Sequence, residues 1–272
     1  MLEIKDQLKK VEEAFSRQSP LYDAYEEDHV ILQWMRSQVR AHALEVVKPG
    51  DQILELNAGT GIDAVFFARM GCRVHATDIS DGMLAQLRGK INSYNLHDRL
   101  TIQKCSLTEL EAVEPGGYDY IFSNFGGLNC VQDLTLVTKQ MPRLLKSRGF
   151  LTLVMMPPFC PWELALVFRG HFKTAVRRLH RRGVLSHIER VHFMSYYFSP
   201  RQTLKALGAG FRKVKLQGLA SLSPPPYMEN FPKRYPRLFR VLTAFDQRLS
   251  GIPPFNRWAD HFILTVQYQP ST

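Results

Sequence analysis

Residues 52–61 read Gln-Ile-Leu-Glu-Leu-Asn-Ala-Gly-Thr-Gly, and the order of residue types in this stretch decides the fold. Gln52–Leu56 is a short apolar run of strand length. Gly59 and Gly61 follow at once, letting the backbone turn sharply and a ligand approach closely. Residues 62–70 then have the length and spacing of a helix. A strand that empties through a glycine turn into a helix is the first half of a βα repeat.

Moving outward toward the carboxyl terminus, the unit repeats. Strands are predicted at 72–77, Leu100–Lys104, Tyr118–Ser123 and 150–156, with helices at 80–92 and 132–145. The fifth strand is apolar throughout, as a strand covered on both faces must be. Connections this short between alternating strands and helices imply parallel pairing in an α/β, doubly wound, Rossmann-like sheet. Toward the amino terminus, residues 2–18 and 20–47 read as helices that end at Lys48-Pro49-Gly50.

After Pro157-Pro158 the pattern changes. Residues 161–181 read as one amphipathic helix with Arg169, Lys173, Arg177 and Arg181 at i+4 steps along one side. A strand is expected at 192–198, and Ser199-Pro200 has the chemistry of a helix start. Strands Phe211–Leu219 and His261–Tyr268 are separated by the loop Ser223-Pro224-Pro225-Pro226-Tyr227 and a helix near 236–249, so the terminal strand is expected to be antiparallel. The organisation is one domain over 1–272. It comprises a helical cover at 1–47, a core at 48–156, a basic helical cap inserted at 157–198, and the rest of the sheet with its proline-rich loop at 199–272.

Composition narrows the classes. Of 272 residues, 45% are hydrophobic and 22% charged, too apolar for a disordered chain. Cys72, Cys105, Cys130 and Cys160 form no CxxC pair, so neither a metal site nor a disulfide framework is expected, and a reducing, cytoplasmic setting fits. The amino terminus mixes acids and bases where a secretory signal needs an apolar run. No apolar run approaches the roughly 20 residues of a membrane span. Thirty-five basic residues against 25 acidic ones give +10. The excess is concentrated at 169–215, where twelve bases meet one acid, Glu189. Such a field can attract an acidic carrier protein or an anionic surface, or simply be solvated.

The functional reading starts from the glycine turn. A dinucleotide and S-adenosylmethionine both use such a turn at a helix N-terminus. Glu55 discriminates, because a carboxylate there repels a pyrophosphate but can act through the loop on the cationic methionyl amine of the second cofactor. Asp78, ending the next strand, is placed to accept the hydroxyls of a ribose. Ile79 and Met83 stand where they can cover an adenine ring, Ser106 and Leu107 where they can read its edge, and Asn124 and Phe125 beside the methyl group.

These residues resemble the class I S-adenosylmethionine-dependent methyltransferases of small-molecule type, over roughly 15–156 and more loosely to the last strand. The family's loop is acid-x-Gly-x-Gly-x-Gly. Here Glu55, Ala58, Gly59 and Gly61 fit that frame and Asn57 replaces the first glycine, a residue that tolerates left-handed angles. Asp78 matches the family's second acid, and Ser106 replaces its usual third. The resemblance implies a seven-stranded sheet with an antiparallel last strand. It also implies that Tyr22, in the segment Phe15 to Asp23, closes over the methionine moiety.

Methyl transfer from a sulfonium needs mainly alignment and exclusion of water. A general base, if one acts, is sought among the cap histidines His171 and His192. Trp162, Phe168, Tyr196 and Tyr197 are expected to line an apolar or aromatic acceptor pocket for a small or carrier-tethered metabolite. Nucleic acid is disfavoured, since no base-flipping motif follows the fourth strand. Two alternatives stand beside this reading: an NAD(P)-dependent oxidoreductase using Gly59, Gly61, Ala64 and Asp78, and a non-catalytic protein retaining the fold.

Overall fold

The computed structural model describes residues 2–115, 117–180 and 182–270. Two helices open the chain, α1 (Leu2–Asp28) and α2 (Val30–Ala43). The core follows as β1 (Gln52–Leu56), α3 (Ile62–Arg69), β2 (Arg73–Asp78), α4 (Asp81–Ser93), β3 (Leu100–Lys104), β4 (Tyr118–Ser123), α5 (Thr135–Thr138), α6 (Met141–Leu144) and β5 (Leu145–Met155). The cap holds α7 (Pro161–Ala165), α8 (Phe172–Val176), β6 (Val184–Ile188) and β7 (Val191–Ser195). The chain closes with α9 (Pro200–Leu207), β8 (Phe211–Leu219), α10 (Phe231–Arg234), α11 (Pro236–Leu249) and β9 (His261–Tyr268).

The seven-stranded sheet has the order β3-β2-β1-β4-β5-β9-β8. β1 to β5 pair in parallel, and β9 runs antiparallel to both β5 and β8, as the sequence predicts for the terminal strand. The direction of winding reverses at β1, between β2 and β4, and at such a switch point a crevice opens beyond the strand ends. Alternation along the strands feeds two cores. Ile53, Tyr120 and Phe122 pack with Phe67 on the α2–α3 face, while Leu54, Leu56, Ile121 and Leu151 pack on the other.

Several elements depart from the sequence reading. The first helix runs unbroken through Pro20 to Asp28. Pro20 cannot donate to the Ser16 carbonyl, and the Ser19 hydroxyl donates to that oxygen instead, at 2.9 Å. The helix predicted at 132–145 is two short pieces, with Pro142 in the first turn of the second. The single amphipathic helix expected at 161–181 does not form. Gly170, at φ 78°, breaks it into α7 and α8, each followed by a 3-10 turn, so Arg169, Lys173 and Arg177 share no continuous stripe. Arg181 lies outside the described residues. The strand expected at 192–198 is half of a separate hairpin, in which Ile188 faces Val191 across Glu189 and Arg190, both at positive φ (47° and 63°). That is the two-residue turn that suits the twist of paired strands. No helix among the described residues is long and apolar enough to cross a membrane.

Candidate functional site

The loop between β1 and α3 folds through three left-handed residues, Asn57 (φ 46°), Gly59 (φ 58°) and Gly61 (φ 77°). Asn57 takes the angle expected of it, and its side chain ties the loop to the end of β4. Its Nδ2 donates to the Asn124 carbonyl at 3.0 Å, and its Oδ1 accepts from the Ser123 hydroxyl at 2.6 Å. A Cβ at Gly61 would lie 2.1 Å from a Leu87 methyl, so a larger residue would have to displace Leu87 and hold a left-handed φ as well. A Cβ at Gly59 would meet nothing nearer than Met83 Sδ at 4.0 Å, because this glycine faces open space.

Asp78 sits across that space, 7% exposed. Its carboxylate accepts from the Gly59 and Ser80 amides, each at 2.8 Å, and from no side chain among the described residues. Ser80, rather than Asp78, caps α4, accepting from the Met83 amide at 3.1 Å. Burial pushes the Asp78 carboxyl above its ordinary value, against the pull of the backbone amides.

These groups face a cavity of about 100 Å³. The β1 loop lends Asn57 and Gly59, the end of β2 lends Asp78 and Ile79, and α4 lends Met83. Cys105, Ser106 and Leu107 follow β3; Asn124, Phe125 and Gly127 follow β4, with Cys130 and Val131 beyond. α1 lies over the top with Leu8, Val11, Phe15 and Tyr22. Ten of the thirteen expected cofactor contacts therefore line one cavity. The sequence reading did not single out Leu8, Val11, Cys105, Gly127, Cys130 or Val131 as cavity residues, although the helical spacing of Leu8, Val11 and Phe15 marks one face of α1.

Glu55, Ala58 and Gly61 stand outside the cavity wall. The Ala58 amide holds the loop to the Thr77 carbonyl at 2.9 Å. Glu55 shares the α2–α3 face of β1 with Ile53 and is 2% exposed, with Oε2 unpartnered. Burial, and then the nearby Asp63 carboxylate, push its carboxyl well above the ordinary value. It lies beneath the loop, outside the cavity wall.

Asp63 belongs to a buried ion network that sequence reading missed. Arg36 pairs with both oxygens of Glu26 (3.1 and 2.9 Å) and with Asp63, and its guanidinium lies 4.7 Å over the Phe125 ring. Arg40 and the Asn124 amide each hold Asp63 at 2.8 Å. The Tyr22 hydroxyl lies beside Arg36, its pKa raised by burial and then by Glu26. One arginine thus joins α1, α3 and the β4 loop behind the cavity wall.

The cap residues expected at the acceptor lie apart from the cofactor cavity. Trp162 packs edge-on against Phe231 at 6.1 Å, Phe168 is 93% exposed, and Tyr197 lies 5.3 Å below the Arg178 guanidinium. Tyr196 is buried, its amide donating to the Asn129 carbonyl at 2.7 Å. None of these four lines the cofactor cavity, but Tyr196 lines a neighbouring one that shares Leu8, Cys130 and Val131 with it, and Tyr196 and Tyr197 line another beside Arg178. His171 is exposed at the start of α8, and His192 is exposed on the hairpin with its ring 5.6 Å from that of His187; neither reaches the cavity. The basic segment is also not uniformly free. Arg177 and Arg178 both bind Glu163 at 2.7 Å, and Arg178 is buried against Asp260 at 2.6 Å. Cys160, Glu163 and Asp260 converge within 4.8 Å, but these arginines already occupy the carboxylates.

Residues 53–149 match the family model described as a methyltransferase domain. The S-adenosyl-L-methionine-dependent Diels-Alderase iccD of Talaromyces variabilis is 35% identical over 75 residues, 27% of this chain and 26% of that protein. The demethylmenaquinone methyltransferase of Corynebacterium glutamicum is 29% identical over 106 residues, 39% of this chain and 42% of that protein. The matched stretches thus span less than half the length of either curated relative. Among solved structures, the [4+2]-cyclase SpnF has the same fold, with a TM-score of 0.61, 14% identity and 96% of each chain covered. The matched segment thus runs from β1 to the middle of β5, and over it the chain resembles a methyltransferase domain set in this sheet order.

Proposed function

We propose that this chain binds S-adenosylmethionine in the cavity and transfers its methyl group to a small apolar, aromatic or carrier-tethered acceptor. The observation that carries the reading is the Asp78 carboxylate: buried, without a side-chain partner, and facing open space above Gly59. Spare acceptor capacity on a buried carboxylate suits a vicinal diol, which brings two hydroxyl donors.

When bound, the sulfonium supplies an already activated methyl group. The chain's own residues then bind, orient and keep the site dry. Asp78 would hold the ribose, Ile79, Met83 and Leu107 would enclose the adenine, and the glycine loop would pass the methionyl tail. Tyr22 and Phe125, backed by Arg36, would exclude water where the methyl is presented. The bases of 169–215 other than Arg177, Arg178 and Lys215, the last paired with Glu45, would serve an acidic carrier or an anionic surface, an attraction that salt weakens.

Titration calorimetry with S-adenosylhomocysteine and with NADH tests the reading. Binding of the first without the second is expected; binding of NADH alone would reverse the assignment, and binding of neither would leave a fold without its cofactor. A second reading is favoured by the stretch shared with iccD, whose name describes a cyclisation. The two readings separate by product mass, since a transferase product is one methyl heavier than its acceptor and a cyclase product is an isomer of it.

A further inference from the structure

β9 runs against its neighbours, so its first residue lies where the parallel strands end. Phe262 pairs with Met155 at the close of β5, and His261 therefore stands at the crest of the sheet beside the β4 loop. A Cβ built on Gly126 would lie 3.6 Å from His261 Nε2, and the imidazole sits edge-on to the Phe125 ring at 5.9 Å. Phe125 and Gly127, on either side of Gly126, both line the cofactor cavity, which His261, 8% exposed, adjoins through Phe125 without lining it.

The other side of the ring is fixed. His261 Nδ1 is 2.9 Å from Asp260 Oδ2. Asp260 is 4% exposed, and its second oxygen accepts from Arg178 at 2.6 Å while its carbonyl accepts from the same guanidinium at 2.8 Å. Burial alone would raise this carboxyl, but His261 and Arg178 hold it well below the ordinary carboxylate range. A permanently charged carboxylate at Nδ1 selects the tautomer with its proton there and leaves Nε2 a bare acceptor. Arg178 already ties the cap to β9 through Asp260, so the cap does not need the imidazole to hold it.

We propose that Asp260 and His261 form the base of the acceptor site, with Nε2 removing the proton of a phenol- or enol-type hydroxyl on the methyl acceptor. This assignment rests on the methyltransferase reading. The acceptor's O–H bond breaks, its proton passing to Nε2 while the oxygen keeps the electron pair. That pair forms the new bond to the methyl carbon as the carbon–sulfur bond breaks, with its electrons left on sulfur. A sulfonium is thereby exchanged for an imidazolium, and the imidazolium lies against Asp260. His261 acts as the catalytic residue and Asp260 as the residue that positions it.

Asp260 lies beside the imidazole and Arg36 across the Phe125 ring; Arg178, Glu163, Cys160, Tyr197 and Tyr227 gather around the Asp260 carboxylate. Complexes with S-adenosylhomocysteine and S-adenosylmethionine differ by one positive charge. Nitrogen and carbon-bound proton resonances of the histidine rings, with His261 assigned through His261→Asn, read both the tautomer and the neighbourhood of that charge. The expected result is a ring with its proton on Nδ1 whose signals move when S-adenosylmethionine replaces S-adenosylhomocysteine. Unmoved signals, or a proton on Nε2, would overturn the proposal while leaving the cofactor reading intact. Failure of both compounds to bind would remove the cofactor reading and the base together. His261→Asn should keep S-adenosylhomocysteine affinity within about threefold, and a loss above about tenfold would place the histidine in the cofactor pocket instead.

Discussion

Replacing Arg36 by Met tests whether the buried network behind the cavity wall holds the site together. The substitution keeps much of the side-chain volume but leaves Glu26 without its partner and Asp63 with Arg40 and Asn124 only. Removing one partner of a buried pair costs about 3–5 kcal/mol, because a charge is left in a poorly solvating place. At about 2.1 cal/mol/K of unfolding entropy per residue, this chain melts with roughly 0.57 kcal/mol/K, so Tm should fall by about 5–9 °C near neutral pH.

The pH dependence gives the sign an independent check. Burial works to raise the Asp63 carboxyl, but Arg36 and Arg40 hold it below its ordinary value. Its contribution to stability is therefore present above the unfolded-state pKa and disappears as pH falls through the folded one. The gap between wild type and Arg36→Met should accordingly narrow in acid. Adding Glu26→Gln should recover part of the loss, since neighbours in one network are not additive. Scanning calorimetry at several pH values reads all of this. A fall below about 2 °C at neutral pH, with no narrowing in acid, would show that the network contributes little and that the argument from burial is wrong.

Asp78→Ala should weaken S-adenosylhomocysteine by about 1–3 kcal/mol, read by calorimetry, and unchanged affinity would remove its role. Because the Asp78 carboxyl is raised, wild-type affinity should fall on acidification before an ordinary carboxylate would protonate, a trend absent from Asp78→Asn. Glu55 is raised well above its usual value, so its neutral form is the favoured one and stability is lost as pH climbs from the unfolded toward the folded pKa. Glu55→Gln should therefore melt higher than wild type at alkaline pH, by roughly 1 kcal/mol, and match it in acid. Gly61→Ala meets Leu87 and a left-handed φ together and should cost about 2–5 kcal/mol in a denaturant titration; a neutral result would mean the loop is softer than its geometry implies.

What the sequence disclosed was local. The run Glu55 to Gly61 and the acid at the end of the next strand specify turn, helix and carboxylate through neighbours in the chain, so most of the cavity wall was visible there. What escaped depended on distant contacts. The break at Gly170 looks like a tolerated glycine until the cap must fold back on Asp260, and Pro20 stops a helix unless a serine makes good the missing hydrogen bond. Glu55 carried a usable signal, since strand alternation puts it on the same buried face as Ile53, beneath the loop and outside the cavity wall. His261 carried none: an acid and a histidine opening a strand become a dyad at the crest only once that strand inserts antiparallel beside β5.

The first helix is fastened by unlike means along its length. Its carboxyl-terminal half is anchored by Glu26 on Arg36 in the interior and by Asp23, which accepts from the Thr60 hydroxyl at 2.6 Å. Its amino-terminal half is held by the hairpin of the cap: Val11 and Ala14 pack with Val191 and Phe193, while the Gln7 side chain donates to the Met194 carbonyl at 2.7 Å and accepts from the Met194 amide at 2.9 Å. Hinge and clasp therefore answer to different solvents: acid unpicks the first, whereas salt, which screens only exposed pairs such as Glu12 with Lys104, leaves the second closed.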